Sequence, residues 1–224
     1  MDLDQDGLQD LVYFDRVGNT LRALRNTGGS GTARYALMRE FDGVRPFPEL
    51  HDRVLLRDYN YDGKEDIFSY TSAGFAVYRN NSTSAGLSFE LVTTRADCEY
   101  VFTDGTSQIT NLYTSPDDLP GMADVDSDGD MDILVFSQLG TYVSCYKNES
   151  LENGYGCDSL SFVLSNVCWG RFAENTSTND VTLDVDCQFQ VPDPEWERKG
   201  TATAHPPRVN EKLCIEAARL HPYT

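Results

Sequence analysis

The chain of 224 residues is 40% hydrophobic, enough for a sizeable core, and its 18 basic and 36 acidic side chains leave a net charge of −18. That balance argues against nucleic acid and anionic membrane surfaces as partners. No apolar run approaches the roughly 20 residues that cross a bilayer as a helix, so no membrane span is expected.

In chain order, the first element is an acidic ladder: Asp2, Asp4, Asp6 and Asp10 stand at positions 1, 3, 5 and 9 of a nine-residue stretch, with Gly7 at position 6. The run Leu11-Val12-Tyr13-Phe14 predicts a strand, Leu24-Arg25-Asn26 closes a hairpin, and residues 34–38 predict another strand. A second round opens with the apolar run Val54-Leu55-Leu56. It continues with the ladder Asp58, Asn60, Asp62 and Asp66 around Gly63, a strand at 67–70, Tyr78-Arg79-Asn80, and a strand at 87–91. The third round has Gly121-Met122-Ala123, the ladder Asp124, Asp126, Asp128 and Asp132 around Gly129, a strand at 133–136, Tyr146-Lys147-Asn148, and a strand at 160–164. From Val191 the composition shifts to Pro, Glu, Lys, Arg and His, with no ladder and no alternation, and a poorly ordered tail is expected.

The ladders carry the chemistry. Carboxylates packed this closely repel one another unless a hard cation lies between them, and Ca²⁺ takes about six to eight oxygen ligands from a loop wrapped around it. Glycine at position 6 permits the positive-φ turn that returns the last aspartate to the ion. An Asp-Gly hairpin turn accounts for Asp6-Gly7 but not for the acids at positions 1, 3 and 9. An EF-hand needs a glutamate at position 12 and flanking helices; here position 12 holds Tyr13, Ser69 and Val135, and each ladder opens into a strand. Up to three Ca²⁺ ions are therefore expected. The ladders start at residues 2, 58 and 124, and four strands per unit at roughly 40–50 residues or more is the period of a propeller blade.

The ladder, the strand after it and the Arg/Lys-Asn hairpin resemble the FG-GAP/VCBS repeats of integrin-α-like β-propellers, over residues 1 to about 166. The resemblance implies that each loop joins the first two strands of a blade and binds Ca²⁺. It also implies that a position-7 carbonyl, from Leu8, Lys64 or Asp130, supplements the side chains. The expected fold is all-β, a partial β-propeller of about three four-stranded blades. These are 1–43 without its innermost strand, 44–95, and 96–166 with a preceding insertion, followed by a Cys-bracketed insertion at 167–190 and the tail at 191–224. Because the first unit opens directly on its ladder, a piece of a longer protein is the expectation.

Six cysteines suit an oxidising compartment and admit 15 disulfide connectivities. Cys145 with Cys157 and Cys168 with Cys187 are the candidate pairs, leaving Cys98 and Cys214; free buried thiols are the alternative. Asn80, Asn81, Asn148 and Asn175 each begin an Asn-x-Ser/Thr sequence. The histidines, His51, His205 and His221, form no catalytic pattern, and zinc, P-loop and dinucleotide motifs are absent. The expected role is a calcium-stabilised, non-catalytic binding or adhesion scaffold of a secreted or cell-surface protein, with a protein or glycan partner. The alternative is a non-catalytic part of a calcium-dependent polysaccharide lyase or another carbohydrate-active enzyme.

Overall fold

Strands form where β-branched and aromatic residues alternate with polar ones, and turns form at the glycine and Asn/Asp clusters between them. The computed structural model describes residues 1–3, 6–29, 34–38, 47–83, 86–102 and 104–187; the tail expected to be poorly ordered lies outside these. Among the described residues the chain is all-β, with strands in four separate sheets, none closed on itself. The described residues divide into two compact units, one within 1–58 and 62–95, the other of 59–61 and the described residues from Ala96 onward.

The first unit holds two antiparallel sheets. One orders β1 (Leu11–Asp15), β2 (Thr20–Asn26) and β3 (Tyr35–Leu37); the other orders β4 (Val54–Arg57), β5 (Asp66–Thr71), β6 (Gly74–Asn80) and β7 (Phe89–Thr93). Alternation decides which side chains meet: Val12, Phe14, Leu21 and Ala23 turn into a core shared with Leu3, Phe47, Leu50 and Ile67, while Leu11 and Tyr13 stay exposed. The central strands of the second sheet are covered on both faces. Phe68 is fully buried and meets Phe75 edge-on at 6.1 Å, and the Arg53 guanidinium lies 5.7 Å from the Phe75 ring centre.

The second unit is built on a six-stranded sheet. Its chain order is β8 (Asp97–Val101), β9 (Ser107–Asn111), β10 (Gly121–Ala123), β11 (Asp132–Phe136), β12 (Val143–Asn148) and β13 (Phe162–Asn166), and its spatial order is β10-β11-β12-β13-β8-β9. Every residue of β12 is buried. The expectation of four strands is corrected here: β8 adds to β13 in parallel, pairing Cys98 with Phe162 and Glu99 with Val163, and carries β9 with it. A hairpin read from sequence as an insertion satisfies the backbone groups of what would otherwise be an edge strand. Beyond β13, a single 3₁₀ turn at Trp169–Arg171 leads into the hairpin β14 (Phe172–Glu174) and β15 (Val181–Leu183).

The Cys168–Cys187 disulfide forms, with its Cα atoms 6.1 Å apart, and brackets that hairpin. The Cys145–Cys157 pair does not. Cys145 lies outside the disulfides, buried on β12 between Leu134 and Asn166, whereas Cys157 is disulfide-bonded otherwise. A linker of tight turns, closed by Asn153 on Glu149 and Tyr155 on Ser150, separates Cys157 from the strand interior.

The three ladders lead into hairpins with the same strand register. The residue after the ninth ladder position pairs with the one before the Arg/Lys in all three sheets: Leu11 with Leu24, Ile67 with Tyr78, Ile133 with Tyr146. The hairpin asparagines pair alike, Asn26 with Tyr35, Asn80 with Phe89, Asn148 with Phe162. In β6 and β12 the register even shifts at the same place, before Tyr78 and before Tyr146.

Candidate metal loops

The aspartate at position 1 folds each loop by accepting from the backbone ahead of it. Asp2 accepts the amides of Asp6 at 3.2 Å and Gly7 at 2.8 Å, and Asp58 those of Asp62 at 3.1 Å and Gly63 at 2.9 Å. Asp124 accepts the Ser127 amide at 2.7 Å. The aspartate at position 5 accepts the position-7 amide each time, Asp6 from Leu8 at 2.8 Å, Asp62 from Lys64 at 2.9 Å, and Asp128 from Asp130 at 3.2 Å. The position-6 glycines adopt φ of 84°, 85° and 103°, where a Cβ is strained. Asp4 lies outside the described residues. Asn60 groups with the second unit, where its amide nitrogen donates to Asp158 Oδ1 at 2.8 Å.

The ninth aspartate is buried in every loop and has a task independent of any ion. Asp10 accepts from the amides of Leu3 at 2.9 Å and Asn26 at 2.8 Å; Asp132 accepts from Val125 at 2.8 Å and Asn148 at 3.0 Å; Asp66 accepts from Asn80 at 2.7 Å. The loop is thereby tied to the hairpin strand. The asparagine after the basic residue completes the tie. Asn26 and Asn80 donate through Nδ2 to the position-8 carbonyls of Gln9 and Glu65, at 3.2 and 3.0 Å, and their Oδ1 atoms accept the amides of Gly28 and Ser82. Asn148 Oδ1 accepts the Ser161 amide at 2.9 Å. The recurrence of Arg/Lys-Asn in the sequence was the signal for this latch, and only the hydrogen bonds explain it. It also accounts for two of the four Asn-x-Ser/Thr sites, since Asn80 and Asn148 are buried and already committed.

The third loop alone, among the described residues, brings three carboxylates together: one oxygen each of Asp124, Asp126 and Asp128 lies within 4.8 Å of the others. Such separations match oxygens that share an ion at about 2.3–2.6 Å. The electrostatics point the same way. Burial pushes the Asp132 carboxyl up to about 7, against the pull of the Val125 and Asn148 amides and with further push from Asp126 and Asp124. Burial, then Asp126, Asp130 and Glu152, hold Asp128 far above the usual carboxylate range, and burial raises Asp124 as well.

Asp130 was expected to contribute through its carbonyl, yet its side chain is also engaged. It is buried, Oδ2 accepts from Ser150 Oγ at 3.1 Å and the Leu151 amide at 3.3 Å, and Oδ1 meets no donor among the described residues. A buried carboxylate oxygen without a donor is costly, and the acidic oxygen-rich donor set is one that a hard divalent cation satisfies. One cation is supplied by the chain itself, because Lys147 Nζ stands 3.1 Å from Asp126 Oδ2. The second-repeat counterpart, Arg79, turns instead to Glu90 at 3.0 Å.

What the fold and loops define is an all-β protein with three similarly folded acidic loops. No protein-family model, curated protein or solved structure matches the chain.

Proposed function

We propose that the chain is a calcium-stabilised segment of a β-propeller, similar to FG-GAP/VCBS repeats, serving a secreted or cell-surface protein as a non-catalytic binding or adhesion scaffold. The carrying observation is the third loop, where Asp124, Asp126 and Asp128 converge within 4.8 Å, in a loop that shares with the other two the bond from the position-7 amide to the position-5 aspartate. The sheets at β1–β3, β4–β7 and β10–β13 are, on this reading, its blades. Ca²⁺ would be held by Asp124, Asp126, Asp128 and Asp132, and its chemistry there is charge neutralisation and loop closure. Corresponding ions would lie at Asp2, Asp6 and Asp10, and at Asp58, Asp62 and Asp66. The Cys168–Cys187 disulfide is consistent with an oxidising compartment, where millimolar calcium suits carboxylate-rich loops.

A ligand that binds only the folded state stabilises it by about 2.7 kcal/mol at a hundredfold excess over Kd. Melting in millimolar CaCl₂ is expected several degrees above melting in chelator. Superimposable curves would refute the calcium reading.

A further inference from the structure

We infer that Lys147 is a resident counter-charge of the third loop: it holds the Asp126 carboxylate when no divalent ion is bound and weakens the loop's grip on calcium when one is. The inference rests on the calcium reading of this loop. Lys147 Nζ lies 3.1 Å from Asp126 Oδ2, and the two side chains are only 11% and 6% exposed, so neither water nor salt screens the pair well. The lysine cannot drift from this position at little cost. Its strand neighbours are fixed, Tyr146 by pairing with Leu164 and Asn148 by donating its amide to Asp132 Oδ1 at 3.0 Å.

Asp126 is at the same time one of the three converging carboxylates. A carboxylate offers two oxygens and about four lone-pair sites, so Asp126 can keep Lys147 on Oδ2 while its other oxygen turns to an ion. Ammonium and divalent cation then sit across a single carboxylate and repel each other in a poorly screened interior. The consequence is a loop that stays folded without calcium and binds it only where calcium is plentiful. The corresponding residue beside the second loop, Arg79, pairs through its guanidinium with Glu90 on β7.

The test uses the full chain titrated with CaCl₂ by calorimetry, with D124N identifying the event that belongs to the third loop. K147Q, which keeps an amide donor but no charge, is expected to tighten that event about tenfold and to lower the metal-free melting temperature. K147M is expected to show the same pair of changes more strongly, and K147R to stay within about threefold of the native affinity. A lysine with a merely structural role would lower stability without tightening calcium, so unchanged or weaker binding in both K147Q and K147M would overturn the inference. If D124N removes no binding event, the third loop holds no calcium, and the reading beneath the inference fails as well.

Discussion

Stripping divalent cations and raising the pH from 5 to 8 is expected to destabilise the chain, and the third loop sets the size of the effect. Asp132 has its carboxyl pushed up to about 7 by burial in the folded, metal-free state, against about 3.9 in an unfolded chain. Between those values the folded state keeps a proton that the unfolded state has released, so stability falls as pH rises. The contribution is complete below about 3.9 and gone once pH has passed through about 7. From pH 5 upward two units of that window are crossed, which at 1.36 kcal/mol per unit is about 2.7 kcal/mol from this one group. Asp124, Asp128 and Asp130 are raised too and act in the same direction. Glu90 and Asp104 are lowered by their hydrogen bonds, so both are ionised in the folded and unfolded states throughout this window and leave the trend unchanged. For a chain of this length the loss corresponds to roughly 5–10 °C in melting temperature. The assay is thermal unfolding by circular dichroism at both pH values, on protein freed of metal by chelation and desalting, with and without added CaCl₂. Calcium replaces the protons, so the loaded protein is expected to lose no stability at pH 8. A metal-free chain that melts at the same or a higher temperature at pH 8 would refute the reasoning.

Two further outcomes follow from the latch and the core. Asn80→Ala removes the bonds to the Glu65 carbonyl and the Ser82 amide at a buried site, and urea unfolding is expected to show a loss of about 2–3 kcal/mol that calcium does not restore. Burial, with a smaller push from Asp97, raises the Cys98 thiol to about 12, which leaves almost no thiolate at pH 8. Mass mapping after alkylation is expected to find Cys98 unlabelled in the native chain and labelled once guanidinium unfolds it; rapid native labelling would contradict its placement.

The ladders were legible because their information is local. Spacing at positions 1, 3, 5 and 9 with glycine at 6 dictates a turn in which side chains accept neighbouring amides, and residues no more than five apart close it. The strand after each ladder was equally legible, since β-branched and aromatic runs such as Ile67-Phe68 and Ile133-Leu134 favour extended backbone wherever they lie.

Long-range choices were not legible. Nothing in the local pattern of 97–111 says that β8 will pair in parallel with β13, because sheet addition depends on which edge the finished fold leaves open. Cys145 and Cys157 are close in sequence, yet one lies in the interior of a strand and the other beyond a series of turns. Lys147 could be recognised as a recurring basic residue, but not as a partner of Asp126, 21 positions earlier. That contact requires the hairpin register to bring strand and loop together inside a buried environment. The sequence by itself determined the turns of the loops and the strands that follow them, because both arise from interactions between near neighbours. Tertiary structure decided which carboxylates are buried, which of them converge and which cation stands beside them, because burial and register exist only once distant strands have paired.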